Sequence, residues 1–140
     1  INVSDVTSQA LGVILLNDHD QEENFVVIPK NTKIPTKGEQ HARTVVDQQT
    51  AILVRVTQGE DREVRYVTEI GSKEIPVPPY PKGAPFTVSY AYDIDQTGYV
   101  ELFDETKGAV VGKFEIDRLM NLDEDEIKNA MQRVSEMDIQ

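Results

Sequence analysis

The sequence of 140 residues predicts a mostly β chain, an antiparallel β-sandwich of about eight strands followed by a C-terminal α-helix. Three observations support this prediction. Short apolar segments show the two-residue period of strands, Gly, Pro and Asp residues separate them, and the period becomes helical only after residue 121. Many short strands joined by turns are typical of an antiparallel sandwich.

Strands are predicted where β-branched and aromatic residues cluster. The segment Phe86–Tyr92 alternates most clearly, because every second residue in it is large and apolar. The other predicted strands are Leu11–Leu16, Phe25–Ile28, His41–Val46, Thr50–Thr57, Val64–Ile70, Tyr99–Phe103 and Val110–Ile116. The proline-rich segment Pro76–Pro85 is predicted to be a connection between strands.

The C-terminal segment carries the signals of a helix. Asp123 is placed to act as an N-cap, and Glu126 follows three residues later as in a capping box. Apolar residues then fall on one helical stripe, formed by Ile127, Ala130, Met131, Val134 and Met137. This pattern predicts about four turns of helix that pack on the sandwich.

Composition limits the kind of partner and compartment. A net charge of −11 repels phosphate backbones and anionic lipids, so neither nucleic acid nor a membrane is an expected partner. There is no cysteine, which suits a reducing compartment, and we expect a cytoplasmic location. The sequence begins at Ile1 without a methionine, which predicts a segment of a longer protein.

Several short segments occur in an order that is informative as a set. They are Asp5-Val6-Thr7 with Leu11-Gly12, Lys30–Thr36, Gln58-Gly59-Glu60, Pro81–Pro85, Tyr92–Gly98 and Leu122–Ile127. Together they resemble the peptide-binding domain of the seventy-kilodalton heat-shock chaperones of the DnaK type, over nearly the whole chain. The resemblance implies a peptide-binding β-sandwich at residues 1–121 and the start of a truncated helical lid at 122–140.

The same resemblance implies a function. Such a module binds short extended hydrophobic segments of unfolded polypeptides, and an ATPase domain that is absent from this chain controls their release. The implied partners are therefore unfolded polypeptides, that ATPase domain and co-chaperones. No cofactor is expected in this segment, since ATP would bind elsewhere in the full-length protein.

The resemblance also implies a groove in the first half of the sandwich. Main-chain hydrogen bonds would hold the extended peptide, and a small apolar pocket would take one side chain. The implied groove residues are Val13, Ile52 and Val54 in the pocket, Ala42 at its wall, Leu16 and Val45 in an arch over the peptide, and Leu15, Arg43 and Gln49 beside the peptide backbone.

Some positions depart from the usual pattern of these chaperones. Ala42 stands where a bulkier, often aromatic, residue is common, and Lys82 stands where Arg is typical. The loop Asn17–Asn24 is longer and more acidic than usual, and Ile1–Ser4 replaces a leucine-rich linker. The acidic loop predicts a preference for peptides in which Lys or Arg flanks an aliphatic centre.

A second interpretation remains open, a structural or scaffold β-sandwich without peptide binding and with a calcium loop at Asp93–Asp104. That segment places oxygen donors and Gly98 near the positions that a twelve-residue calcium loop requires. However, such loops lie between helices, whereas both flanks here are predicted strands. A hairpin turn in which Gly98 adopts a positive φ angle is favoured, and no metal site is predicted.

Enzymatic motifs are absent from the sequence. It contains no G-x-S-x-G, no H-E-x-x-H and no glycine-rich phosphate loop. His19 and His41 have no spacing that suggests shared metal ligation. The chain is therefore predicted not to be an enzyme, with no catalytic residues.

Overall fold

The computed structural model describes residues 6–116, which fold into eight strands and one short 3₁₀ turn. The strands are β1 Leu11–Leu16, β2 Glu22–Ile28, β3 Thr36–Arg43, β4 Gln49–Gln58, β5 Thr68–Tyr80, β6 Pro85–Tyr92, β7 Gly98–Asp104 and β8 Ala109–Ile116, and the turn is Val64–Tyr66. The helix and lid predicted at residues 122–140 lie outside this described range. None of the helical structure within residues 6–116 is long and apolar enough to cross a membrane.

The strands form two four-stranded sheets with antiparallel pairing throughout. The first sheet has the order β2-β1-β4-β5, and the second has the order β3-β6-β7-β8. The prediction of a mostly β, antiparallel chain is confirmed.

A single hydrophobic core lies between the two sheets. The first sheet contributes Val13, Val54 and Ile75, and the second contributes Tyr90 and Leu102, each at most 2% exposed. Ile75 in β5 and Leu102 in β7 alternate with more exposed residues, as expected when one face of a sheet is buried, whereas β1 and β6 are buried along most of their length. The arrangement is consistent with the predicted β-sandwich.

Glycines let the two sheets approach each other at both sides of this sandwich. Where β8 meets β5, a Cβ atom on Gly112 would lie 2.6 Å from the Ile75 side chain. Where β3 meets β2, a Cβ atom on Gly38 would lie 2.4 Å from the Val27 carbonyl oxygen. Since neither distance leaves room for a side chain, only glycine fits at these two contacts.

Three predicted segments were placed wrongly. The strand predicted at His41–Val46 is β3 at Thr36–Arg43, and Val45 and Val46 belong to the following loop. The strand predicted at Val64–Ile70 begins only at Thr68, after the 3₁₀ turn. Most of the proline-rich connection is the end of β5, which tolerates prolines because it is an edge strand and needs hydrogen-bond partners on one side only.

Candidate functional site

The candidate site lies where β1 and β4 separate. Their ladder runs from the pair Leu11–Gln58 to the pair Ile14–Arg55 and ends there. Beyond it, β1 continues to Leu16 on β2 alone, and the other end of β4 continues to Gln49 on β5 alone. Two strand edges therefore face each other across a gap, which is the geometry that accepts an added extended chain.

A cleft of about 930 Å³ opens at this gap. Its apolar lining consists of Ile14, Leu15, Leu16, Phe25, Ala42, Val45, Ile52 and Leu53. Leu16 and Val45 are each 39% exposed and Leu53 is 52% exposed, so large apolar side chains meet solvent together here. An exposed apolar cleft of this size is typical of a ligand-binding site.

The loop between β3 and β4 is bonded firmly to the connection between β5 and β6. Thr44 is 2% exposed, and its hydroxyl donates to the Pro81 carbonyl and accepts from the Ala84 amide, both at 2.9 Å. Its backbone accepts from Gly83 at 2.9 Å and donates to Ala84 at 3.0 Å. These bonds fix one border of the cleft.

Gln49 braces the same loop from within. Its side-chain oxygen accepts a hydrogen bond from the Val45 amide, and its side-chain nitrogen donates to the Ala51 carbonyl, both at 2.9 Å. Because Gln49 opens β4 at the edge of the cleft, its side chain holds Val45 over the opening. The residue therefore positions the cleft border through its amide group.

The loop between β1 and β2 is a compact hairpin at residues 17–21, the other border of the cleft. The Asn17 side-chain oxygen accepts from the amides of His19 at 2.8 Å and Gln21 at 3.1 Å. The backbone closes the turn through a bond from the Asn17 amide to the Gln21 carbonyl at 2.8 Å. This acidic segment is therefore an ordered turn, shorter than the loop Asn17–Asn24 that we predicted.

Seven of the nine predicted groove residues line the cleft: Leu15, Leu16, Ala42, Arg43, Val45, Gln49 and Ile52. The other two do not, since Val13 is 0% exposed and Val54 is 2% exposed within the core. Both lie on the inward face of the first sheet, where apolar core and apolar pocket residues have the same pattern in the sequence. That any of the nine contacts a peptide stays a prediction.

Several cleft residues were not predicted, and three of them are informative. Ile14 and Leu53 lie on the outer face of the first sheet, whereas the predicted pocket used its inner face. Thr44, which fixes the border, has no signature in the sequence, because it falls inside the strand predicted at His41–Val46. The alternation of Leu53 with Ile52 and Val54 was the available signal, because an apolar residue on both faces of a strand indicates a second contact surface.

The segment Asp93–Asp104 is a hairpin whose two carboxylates lie far apart. The Asp93 carboxylate accepts from the amides of Asp95 at 2.9 Å and Thr97 at 3.1 Å, within the turn between β6 and β7. Asp104 lies at the other end of β7, about 20 Å away at the usual rise of a strand. One ion cannot bind both carboxylates, and among residues 6–116 no cluster of three metal-ligating side chains occurs.

Two details of this hairpin differ from the sequence prediction or add to it. Gln96 has the positive φ angle of 67°, a role that we had predicted for Gly98. Asp104 is buried and accepts a hydrogen bond from the Tyr80 hydroxyl at 2.8 Å. This hydrogen bond raises the pKa of Tyr80 above its usual value. Asp104 therefore has a structural role that accounts for its position.

Comparison with known proteins identifies the family. A sequence model of the Hsp70 protein family matches residues 1–140. The chaperone protein DnaK of Thermotoga petrophila is 36% identical over 110 residues, which are 76% of this chain and 18% of that protein. DnaK of Thermotoga neapolitana is 38% identical over 84 residues, which are 59% of this chain and 14% of that protein.

A plant relative gives a similar result. The chloroplastic heat shock 70 kDa protein 7 of Arabidopsis thaliana is 34% identical over 105 residues, which are 74% of this chain and 14% of that protein. The chain spans less than a fifth of the length of these relatives. With the family match extending over its whole length, the chain belongs to the Hsp70 family.

Proposed function

We propose that this chain is the peptide-holding module of an Hsp70 chaperone and that extended segments of unfolded polypeptides bind in the cleft between β1 and β4. The observation that carries this proposal is the end of the β1–β4 ladder at the pair Ile14–Arg55, beside exposed apolar side chains. Main-chain groups of a peptide would pair with the separated strand edges, and its apolar side chains would contact the cleft lining.

The relatives' names and lengths support the wider context. Two of them are named chaperone proteins, and this chain corresponds to less than a fifth of each. We therefore propose that peptide release is driven by ATP hydrolysis in another part of the protein, and that co-chaperones act on the complete molecule. In this proposal the present segment has no catalytic role.

The test measures binding of a dye-labelled peptide with a leucine centre and uncharged polar flanks, followed by fluorescence anisotropy. In the variant L16S/V45S, two side chains that border the cleft lose their apolar groups. We expect affinity to fall at least tenfold, which corresponds to about 1.4 kcal/mol. Because each residue is 39% exposed, the denaturation midpoint should change little.

The matched control is I94S/V110S, which removes two aliphatic side chains that are 64% and 47% exposed and lie away from the cleft. This variant should bind the peptide as the parent does. Equal losses in both variants would place the binding site elsewhere. A parent chain that binds no peptide at all would contradict the proposal and favour the scaffold interpretation.

A further inference from the structure

The charged side chains around the cleft form two groups that behave differently. Besides two histidines, four acidic and four basic residues line it. Half of them neutralise each other, since Arg55 forms an ion pair with Glu22 and Arg62 forms one with Glu23 at 3.2 Å. Arg55 also contacts Glu69 at 2.7 Å. These paired groups leave little net charge to act on a ligand.

The other four charged side chains have no ion pair and no side-chain hydrogen bond within residues 6–116. Asp18 and Asp20 lie on the hairpin between β1 and β2, which we call the acidic rim. Arg43 and Lys82 lie where the β3–β4 loop is bonded to residues 81–84, which we call the basic rim. The cleft is therefore bordered by free charges of opposite sign.

The basic rim keeps its positive character despite one neighbouring carboxylate. Asp47 accepts a hydrogen bond from the Lys82 backbone amide at 2.7 Å, but it is exposed and does not line the cleft. The acidic rim has no basic side chain within the hairpin itself, apart from His19. A peptide long enough to span both rims would therefore be attracted by negative charge at one end and by positive charge at the other.

We propose that the cleft prefers extended peptides with a basic residue on one flank of an apolar centre and an acidic residue on the other. The basic flank lies against the Asp18–Asp20 rim, and the acidic flank lies against Arg43 and Lys82, so the peptide binds in one direction. This inference rests on the proposed peptide-binding function. It replaces the simpler expectation of basic flanks, which followed from the net charge of −11 and the acidic loop.

The experiment compares five peptides with the same leucine centre, bound to the 140-residue chain. Their flanks are neutral on both sides, basic on both sides, acidic on both sides, basic then acidic, or acidic then basic. One of the two mixed peptides should bind at least about fivefold more tightly than either uniformly charged peptide at low salt. The preference should shrink strongly between about 0.02 M and 0.5 M salt because the rims are exposed.

Charge reversal then assigns each flank to its rim. The variant R43E/K82E should prefer the peptide with two basic flanks, and D18K/D20K should prefer the peptide with two acidic flanks. The control K107E/K113E makes the same change in net charge as R43E/K82E, but at exposed positions outside the cleft, and it should keep the preference of the parent.

The outcomes separate this inference from the function on which it rests. If the neutral peptide binds but the doubly basic peptide is preferred by the parent and by the control alike, the overall charge governs binding and the inference is wrong. Equal affinity for all charged peptides would also overturn it. If no peptide binds, including the neutral one, the proposed function itself fails.

Discussion

The sides of this sandwich and its cleft end are built from the same kinds of apolar residue, yet the sides are closed and the cleft end is open. At the sides, Gly112 and Gly38 let Ile75 and the Val27 carbonyl fill the space between the sheets. At the cleft end, the β1–β4 ladder stops after Ile14, and nearby loops are held apart by hydrogen bonds of their own.

This difference shows that hydrophobicity alone does not decide whether a segment packs or binds. Leu16 and Leu53 are as apolar as Leu102, but they are exposed because none of residues 6–116 covers the sheet face on which they lie. The closed sides depend on the absence of a side chain at close contacts such as those of Gly112 and Gly38. The open end depends on polar side chains, chiefly Thr44 and Asn17, that fix the loop borders.

The largest effect is expected at a closed side. In the variant Gly112→Val the new side chain would overlap Ile75, whose atoms would lie 2.6–2.8 Å from the added Cβ. Overpacking of this kind costs typically 1–3 kcal/mol, and we expect about 3 kcal/mol because Ile75 is 1% exposed and has no free space to enter. Chemical denaturation measures the loss.

The control for this variant is Lys113→Val, the same new residue at the next position of β8 but on an exposed site. It should change the free energy of unfolding by no more than about 0.5 kcal/mol. Similar losses in both variants would mean that the strand responds to valine itself, and the proposed close contact at the side would be wrong.

The second effect marks the boundary between the closed core and the open cleft. Ile52 and Val54 point inward from the same face of β4, but Ile52 lines the cleft and Val54 is 2% exposed. Val54→Phe should therefore cost about 1–3 kcal/mol of stability. Ile52→Phe should cost less than about 1 kcal/mol and should instead weaken peptide binding, because the ring can enter the cleft.

The different burial of Ile52 and Val54 changes which substitution tests the pocket. The resemblance implied that Val54 lines an open pocket, where a phenylalanine would cost little stability. Because Val54 is 2% exposed, the expected cost is instead that of overpacking a core. Equal destabilisation by the two substitutions, measured by denaturation, would show that the core extends to Ile52 and that the cleft is shallower than described.

The sequence predicted the buried strands well and the borders of the cleft poorly. β1 and β6 were placed within one residue because both are mostly apolar segments that are buried along most of their length. β3 was shifted because it is an edge strand with many polar residues, while the neighbouring Val45 and Val46 have high β-propensity but lie in a loop. The β-propensity of individual residues gave the wrong strand boundary where tertiary hydrogen bonds, such as those of Thr44, determine the backbone conformation.

The site residues show the same limit. The resemblance to the DnaK-type chaperones selected seven residues that line the cleft, but it could not separate Val13 and Val54 from the core, since both environments select an apolar inward side chain. The ion pairs at the cleft could not be predicted from the sequence either, because Glu22 and Glu23 pair with Arg55 and Arg62, which are distant in sequence. The sheet order β2-β1-β4 and the hydrogen bond from the Asn24 amide to the Arg62 carbonyl bring these groups together.

The smallest effect concerns whether water reaches the core between the sheets, and the hydroxyl of Tyr90 is the group that tests it. Tyr90 is 0% exposed in β6, and its hydroxyl has no hydrogen-bond partner within the described part of the chain. Burial raises the pKa of this hydroxyl above its usual value, and the nearby Tyr92 adds to the effect. At neutral pH, Tyr90→Phe should be neutral or slightly stabilising because a buried unpaired hydroxyl is removed.

At alkaline pH the same substitution should become clearly stabilising. The folded pKa of Tyr90 lies above the unfolded value of 10.0, so the unfolded chain loses its proton first and gains in population as the pH rises. The free energy of unfolding of the parent should therefore fall by up to about 1.4 kcal/mol per pH unit above pH 10 through this group. In the Tyr90→Phe variant this decrease should not occur. Tyr80 and Tyr99, whose pKa values are also raised, remain in both proteins, so the difference between the two denaturation curves isolates Tyr90. Curves that stay parallel from pH 7 to pH 11 would mean that water reaches the hydroxyl and that the interior is open well beyond the cleft.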